Sequence, residues 1–373
     1  MPSLLPPSAL ADKTLVWFDA NARTLPWRAK PGERADPYRV WLSEILLQQT
    51  TTSGAAPYFA KFVARWPDVA ALAGAEIEEV MNAFAGLGYY SRARNLHAAA
   101  QAVAAAGGAF PSEEAALRAL PGVGPYTAAA IAAIAFGKAA TPIDGNIARI
   151  VSRLAGFSAP IAANRRAIED FARALTPRRR AGDFAQALMD IGATICRPKA
   201  PACLACPLRD GCRAAASGDP EAFPGQTVKT PRPEKVGAAF FAERPNGAFL
   251  ARRRPPRGLL GGTMELPGGL WRLGELTQVS ADEAPFAAHW VRLPELVAHV
   301  FTHFSLRLAL FAAPAPVLAP EGMVFVAPHE IDAAGFSGLM RKAALSARAQ
   351  NPGNRSVALN PPSGLSPSSS APP

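Results

Sequence analysis

Two acids in this chain lie where a carboxyl group can do chemistry. Glu44 sits in the run Tyr38-Arg39-Val40-Trp41-Leu42-Ser43-Glu44-Ile45-Leu46-Leu47-Gln48-Gln49-Thr50. On a helix its neighbours three and four positions away are Val40, Trp41, Leu47 and Gln48, so the acid shares a largely apolar face. Such burial disfavours the charged form and keeps a carboxyl protonated near neutrality, which is what a general acid needs. The alternative is a glutamate at the edge of that face, pointing to water. Asp144 lies in Thr141-Pro142-Ile143-Asp144-Gly145-Asn146, just before a helix expected over Ile147–Leu154. It reads as an N-cap, as a carboxylate kept ionised by the helix N-terminus, or as both. One acid held protonated and one held ionised is the pattern of glycosidic bond cleavage. The first protonates a leaving group and the second faces the developing sugar cation.

The four cysteines of the chain, Cys196, Cys203, Cys206 and Cys212, share one stretch with the spacing C-x6-C-x2-C-x5-C. Two disulfides do not suit a cytosolic chain of this size. Four thiolates on a short loop suit a soft metal centre, either tetrahedral zinc or an iron–sulfur cluster. A single C-x2-C pair leans towards iron. Arg197, Lys199, Arg209 and Arg213 add positive charge to the same loop. A further segment, Leu120-Pro121-Gly122-Val123-Gly124-Pro125-Tyr126-Thr127-Ala128, joins two predicted helices. Gly122 and Gly124 let the backbone turn tightly, so the N–H groups of Gly122, Val123 and Gly124 can face an anion at a helix start. A DNA phosphate docks at such a site without base readout; a plain helix–helix turn is the alternative.

The elements that must carry these residues follow from periodicity and composition. A chain of 373 residues accommodates two domains at roughly 150 residues each. Its 49% hydrophobic and 18% charged content describes a soluble globular protein. The longest apolar run, Ala128–Phe136, is too short to span a bilayer, and the opening MPSLLPPSAL has no basic n-region. We expect a cytoplasmic, nucleoid-associated monomer with no membrane partner. The net charge of +10 is uneven: residues 1–147 carry 12 Lys/Arg against 12 Asp/Glu, and residues 148–217 carry 12 against 5. That local excess reads as a nucleic-acid footprint or as a solvated basic face.

From about residue 10 to 213 apolar residues recur at helical spacing. Helices are predicted over Tyr38–Thr50, Glu76–Phe84, Ala93–Ala105, Ser112–Ala119 and Pro125–Phe136. Residues 214–235 are small, polar and proline-rich, as a linker is. Beyond them Val236–Phe241 and Ala248–Arg252 flank Asn246-Gly247, a hairpin signal. Short apolar runs at Val297–Phe301, Leu306–Phe311 and Val324–Val326 and a helix near Glu330–Arg348 complete an α+β domain over 236–347. Residues 348–373 are predicted to be disordered.

Together these features resemble the helix-hairpin-helix superfamily of base-excision glycosylases with an iron–sulfur loop. The likeness runs through Leu25-Pro26-Trp27-Arg28, Trp41-Leu42-Ser43-Glu44, Leu47-Gln48-Gln49-Thr50, Gly86-Leu87-Gly88-Tyr89-Tyr90, the hairpin, Asp144-Gly145-Asn146 and the cysteines. It implies a mainly α six-helix barrel with a [4Fe–4S] cluster held by the four cysteines. Endonuclease III-like members place a Schiff-base lysine two residues after the second hairpin glycine. Here that residue is Tyr126, whose phenol cannot form an imine. The resemblance therefore favours the adenine-glycosylase (MutY-type) branch, monofunctional and acting on duplex DNA with adenine opposite 8-oxoguanine or guanine. A bifunctional glycosylase/lyase and a non-catalytic iron–sulfur DNA-binding protein are the alternatives.

By the same resemblance, Tyr126 and Asn146 orient Asp144 and stabilise the cation. Trp27, Arg28 and Asp190 line the pocket for a flipped adenine. Leu47, Gln49 and Tyr89 lie beside the lesion. Flipping is required because the glycosidic bond is inaccessible inside a duplex. Gly258–Gly269 and His299–Phe304 resemble the Nudix-like recognition domain of that branch, with Phe301, Thr302 and His303 contacting the oxidised guanine. The acidic helix of a Nudix hydrolase is missing after Glu275, where the chain reads ADEAPFAAHW. Little is left there to hold magnesium, so the domain is expected to bind and not to hydrolyse.

Overall fold

The computed structural model describes residues 5–30, 32–88, 90–226 and 231–351. Two compact units emerge, one comprising Met1–Ala83 with Arg92–Lys229 and the other Phe84–Ser91 with Thr230–Pro373. Among the described residues twelve α-helices precede the first strand: α1 Pro7–Asn21, α2 Pro37–Leu47, α3 Thr52–Arg65, α4 Val69–Ala73, α5 Ile77–Ala83, α6 Ser91–Ala105, α7 Glu114–Arg118, α8 Pro125–Phe136, α9 Gly145–Ala155, α10 Arg165–Leu175, α11 Ala181–Thr194 and α12 Arg213–Ala216. None of the described helices is long and apolar enough to cross a membrane.

Each helix that serves the site is bounded by its own sequence. Asp36 accepts from the Tyr38 N–H at 2.9 Å at the start of α2, with Pro37 in the first turn. Pro125 opens α8, and Gly137, at φ 67°, closes it in the left-handed conformation. The alanines of α8 leave room for a close neighbour. On α11, a Cβ at Gly182 would meet the Ala133 carbonyl oxygen at 2.5 Å, so the two backbones nearly touch. An apolar core of α9, α10 and α11 residues, including Ile150, Leu154, Ile168, Phe184 and Leu188, also takes in Cys196, Cys206 and Cys212 at its edge.

Some boundaries differ from the sequence reading. The helix expected to reach Thr50 stops at Leu47. The buried Arg92 of α6 donates to the carbonyls of Ile45 at 2.9 Å and Gln48 at 2.6 Å, taking groups a further turn would need. The stretch expected as linker from 214 starts as part of the first unit. It contains α12, the Arg153 Nε donates to the Phe223 carbonyl at 2.9 Å, and the Gly225 N–H donates to the Ser158 carbonyl at 2.9 Å.

In the second unit β1 Glu234–Glu243, β2 Phe249–Arg253, β3 Met264–Glu265, β4 Arg272–Leu273, β5 Val291–Arg292, β6 Val297–Val300, β7 Ser305–Pro314 and β8 Met323–Val326 form one mixed sheet. Its main path runs β3-β2-β1-β7-β5, with β4 on β1, β6 on β7 and β8 on β2. The central pair β1 and β7 is parallel, with Phe240 opposite Phe311. Alternation sends Phe241, Leu308 and Leu310 to one face, beneath helix α13 (Gly338–Gln350), and Phe240 and Phe311 to the other, against Trp290. The Asn246-Gly247 turn joins β1 to β2 with Gly247 at φ 81°. The last helix begins eight residues later than Glu330, because Ser337 caps it by accepting from the Met340 N–H at 3.3 Å. It continues through Gln350, into the stretch expected to be disordered; residues 352–373 lie outside the described residues.

Candidate active site

Glu44 is 6% exposed on α2, between the buried Val40 and Trp41 on one side and Leu47 on the other. Burial pushes its carboxyl up to about 7. A hydrogen bond from the Tyr126 phenol opposes that rise, and the nearby charge of Asp144 adds to it. Tyr126 is the second residue of α8, so the hairpin turn determines where its hydroxyl lies. Burial, then the acids Glu44 and Asp144, drive the phenol well above its ordinary range, so it stays a neutral donor.

Asp144 is the N-cap of α9. One carboxylate oxygen accepts from the Ile147 N–H at 2.7 Å and the other from the Asn146 side-chain amide at 2.9 Å. The cap and the oriented carboxylate are therefore one arrangement. The Asn146 amide oxygen in turn accepts from Arg149 at 2.9 Å, and the same guanidinium donates to the carbonyls of Gly192 and Cys196, both at 2.8 Å. Gly192 has no room for a side chain: a Cβ would stand 2.6 Å from the Asn146 Cβ.

Glu44, Tyr126, Asp144 and Asn146 line one cavity of about 470 Å³, and Trp27, Arg28, Leu47 and Gln49 line it as well. The Trp27 ring packs edge-on against Phe59 at 5.5 Å between centroids. Gln49 adopts φ 61°, a conformation a side-chain-bearing residue rarely takes, directly after the carbonyls held by Arg92. Tyr89 lies outside the described residues.

Asp190 corrects the sequence reading. It is fully buried on α11 and does not line the cavity; its oxygens accept from Arg28 at 2.8 and 3.0 Å and from Arg23 at 2.7 and 3.0 Å. Burial alone would raise this carboxyl, but the hydrogen bonds from Arg28 and Arg23 outweigh it and hold the group below its ordinary value. From behind the cavity it ties down Arg23 and Arg28, and with them the Trp27-Arg28 segment.

The hairpin also departs from expectation in one amide. The Val123 N–H donates to the Leu120 carbonyl at 3.1 Å and its side chain is buried, so this donor closes the turn. The N–H groups of Gly122 and Gly124 have no partner among the described residues, so they are open to an anion. Gly122 is at φ 75°, and a Cβ there would lie 2.7 Å from the Asn95 Cβ.

The four cysteines border one small cavity together with Arg153. Arg153 donates to Cys196 Sγ at 3.3 Å and to the Arg197 and Pro198 carbonyls at 2.7 and 3.1 Å, while Cys212 Sγ lies 3.5 Å from the Arg153 carbonyl. Sequence reasoning missed Arg23, Arg92, Arg149 and Arg153. Each is an arginine whose task is to satisfy distant carbonyls or a buried acid, and nothing in local spacing distinguishes it from a surface cation.

In the second unit Phe301, Thr302 and His303 form the turn between β6 and β7, with Thr302 and His303 exposed and Phe301 half-buried. Between Glu275 and β5 the only helical piece among the described residues is the short turn Leu276–Gln278. Of the nearby acids, Glu283 pairs with Arg272, and the buried Glu265 pairs with Arg252 and Arg254.

A family model described as HhH-GPD superfamily base excision DNA repair protein matches residues 42–177, and a NUDIX domain model matches residues 238–345. The adenine DNA glycosylase of Homo sapiens is 32% identical over 410 residues, covering 93% of this chain and 75% of that protein. That of Mus musculus is 33% identical over 403 residues, covering 90% and 77%. A solved thermostable thymine-DNA glycosylase is similar with a TM-score of 0.50 at 31% identity, covering 56% of this chain and 95% of that one. With its helical hairpin region, its Nudix-like sheet and its relatives along most of its length, the chain belongs to the adenine DNA glycosylase family of base-excision repair enzymes.

Proposed function

We propose that this DNA glycosylase hydrolyses the N-glycosidic bond of adenine mispaired with 8-oxoguanine or guanine in duplex DNA and does not cut the strand. One observation carries the reading: a buried carboxyl held at about 7 shares a cavity with a second carboxylate that two N–H donors orient. Glu44 gives its proton to the leaving adenine as the bond from the sugar breaks, and the bonding electron pair departs with the base. The sugar becomes an oxocarbenium ion, which the Asp144 carboxylate faces and stabilises electrostatically. Asn146 holds that carboxylate by its amide, and Tyr126 holds Glu44 by its phenol. Water then adds to the sugar, and its proton returns to the Glu44 carboxylate. No amine stands at the Tyr126 position to form an imine, which supports the absence of a lyase step.

The cysteine loop fits a cofactor. Among the described residues no three His, Cys, Asp or Glu side chains are grouped to hold a single ion. All four thiols nevertheless border one small cavity, and four thiolates are the donor set that a [4Fe–4S] cluster takes. The guanidinium of Arg153 would offset the negative charge of its thiolates. Bound there, the cluster would cross-link the loop by iron–thiolate bonds. We read the turn Phe301–Thr302–His303 as the part that meets the base opposite the adenine, and the second unit as binding only.

The test is a labelled duplex with adenine opposite 8-oxoguanine, incubated with the protein and split into samples with and without hot alkali. Breaks at the adenine that depend on alkali support the reading. Breaks without alkali, with a borohydride-trapped adduct, point to a lyase; tight binding with no breaks points to a non-catalytic protein.

A further inference from the structure

The turn between β6 and β7 is built on an aromatic cluster. The Phe301 N–H donates to the Phe304 carbonyl at 2.8 Å and closes it. Around the Phe301 ring stand His299 at 4.6 Å, Phe304 at 4.7 Å and Trp271 at 5.7 Å between centroids. His299 belongs to β6, and Phe304 closes the turn directly before β7. Trp271 comes from a different part of the chain, just before β4.

Trp271 is itself held from several sides. The Arg254 guanidinium lies over its ring, 5.3 Å from the centroid. Arg254 is pinned by an ion pair with Glu265, which is 2% exposed, and by a hydrogen bond to the Leu259 carbonyl at 3.1 Å. On the sheet side the indole rests on Gly237, where a Cβ would approach Trp271 Cδ1 to 2.6 Å. It also packs on Phe304 at 6.5 Å. A ring fixed in this way has little rotamer freedom left to lose, so it is a rigid surface for Phe301 to rest on.

We infer that Trp271 is a positioning residue for the Phe301–Thr302–His303 turn, setting the direction from which the exposed Thr302 and His303 meet the base opposite the excised adenine. The inference rests on the proposed role of that turn. It goes further in assigning selectivity to a residue that does not itself touch the base. A purely structural Trp271 would affect stability and leave selectivity alone.

The experiment uses the full chain and two duplexes carrying a non-hydrolysable 2′-fluoro adenosine opposite either 8-oxoguanine or guanine. The ratio of the two dissociation constants measures selectivity. Trp271→Leu is expected to reduce that ratio about fivefold, with single-turnover base release from an A:G duplex at saturating enzyme unchanged, and Trp271→Phe to restore most of it. Phe301→Ala is expected to reduce it comparably, and the double variant no further, because both act through one contact. If Phe301→Ala leaves the ratio intact, the reading of the turn falls and this inference falls with it. If Phe301→Ala lowers the ratio while Trp271→Leu does not, or the two losses add, the turn keeps its role and Trp271 is only packing. Trp271→Met provides the same comparison should the leucine variant not fold.

Discussion

At Glu44 the proposed chemistry turns on a single proton. Its carboxyl stands at about 7 in the folded chain against an ordinary 4.5, so ionising it inside costs about 3 kcal/mol more than ionising it in water. The penalty is absent below the unfolded value, grows as pH rises through the interval, and is complete above the folded value. Glutamine keeps the shape without the charge. Glu44→Gln should therefore lose base release, keep DNA binding and melt higher than the parent at pH 8, with the advantage fading towards pH 4. Parent base release should fall tenfold per pH unit above about 7. Single-turnover rates and melting curves check both, and unimpaired turnover in the variant removes the general-acid role. Asp190 presents the opposite case, a buried charge matched by two arginines. Asp190→Asn leaves those guanidinium groups inadequately paired and should cost about 3–5 kcal/mol by denaturant unfolding. A loss under 1 kcal/mol would mean that the arginines reach water.

At the scale of elements, the hairpin leaves two backbone N–H groups open for the phosphate site proposed there and places Tyr126. Gly122 is needed twice, for φ 75° and for its closeness to Asn95. Gly122→Ala should cost about 1–2 kcal/mol of stability and weaken DNA binding at every sequence alike; unchanged affinity in a salt titration would count against the anion site. Much of this was legible beforehand. The helix expected over Pro125–Phe136 has those bounds, with proline at its start and Gly137 just past its end. The apolar spacing around Glu44 gave its burial, and the cysteine run identified its loop. Other features were hidden because their causes are distant in sequence. The stop of α2 at Leu47 is imposed by Arg92, 45 residues on. The burial of Asp190 depends on Arg23 and Arg28 from a loop that periodicity cannot place. Asn146 was assigned to Asp144 by resemblance, whereas the Arg149 contact behind it needed the packing of α9 on α11.

At the scale of the molecule, the cysteine loop binds chain that is far apart in sequence. Arg153 reaches Cys196, Arg197, Pro198 and Phe223, so the segment from 196 to 223 is anchored on α9. With the proposed cluster bound, the purified protein should be yellow-brown. Cys206→Ser should bleach it and lower the melting temperature by on the order of 10 °C. A colourless, zinc-loaded and fully active protein would overturn the cluster assignment.

The buried acid has a further consequence for the chain as a whole. Between about pH 5 and 7 the unfolded chain carries Glu44 as a carboxylate and the folded chain carries it as the neutral acid. Folding in that range takes up a proton from the medium at this one position. The heat of unfolding near pH 6 will accordingly include the ionisation heat of the buffer. Phosphate and imidazole buffers should give transition enthalpies for the parent whose difference changes when Glu44 is replaced by glutamine. A scanning calorimeter thus reads the protonation of the active site with no DNA present.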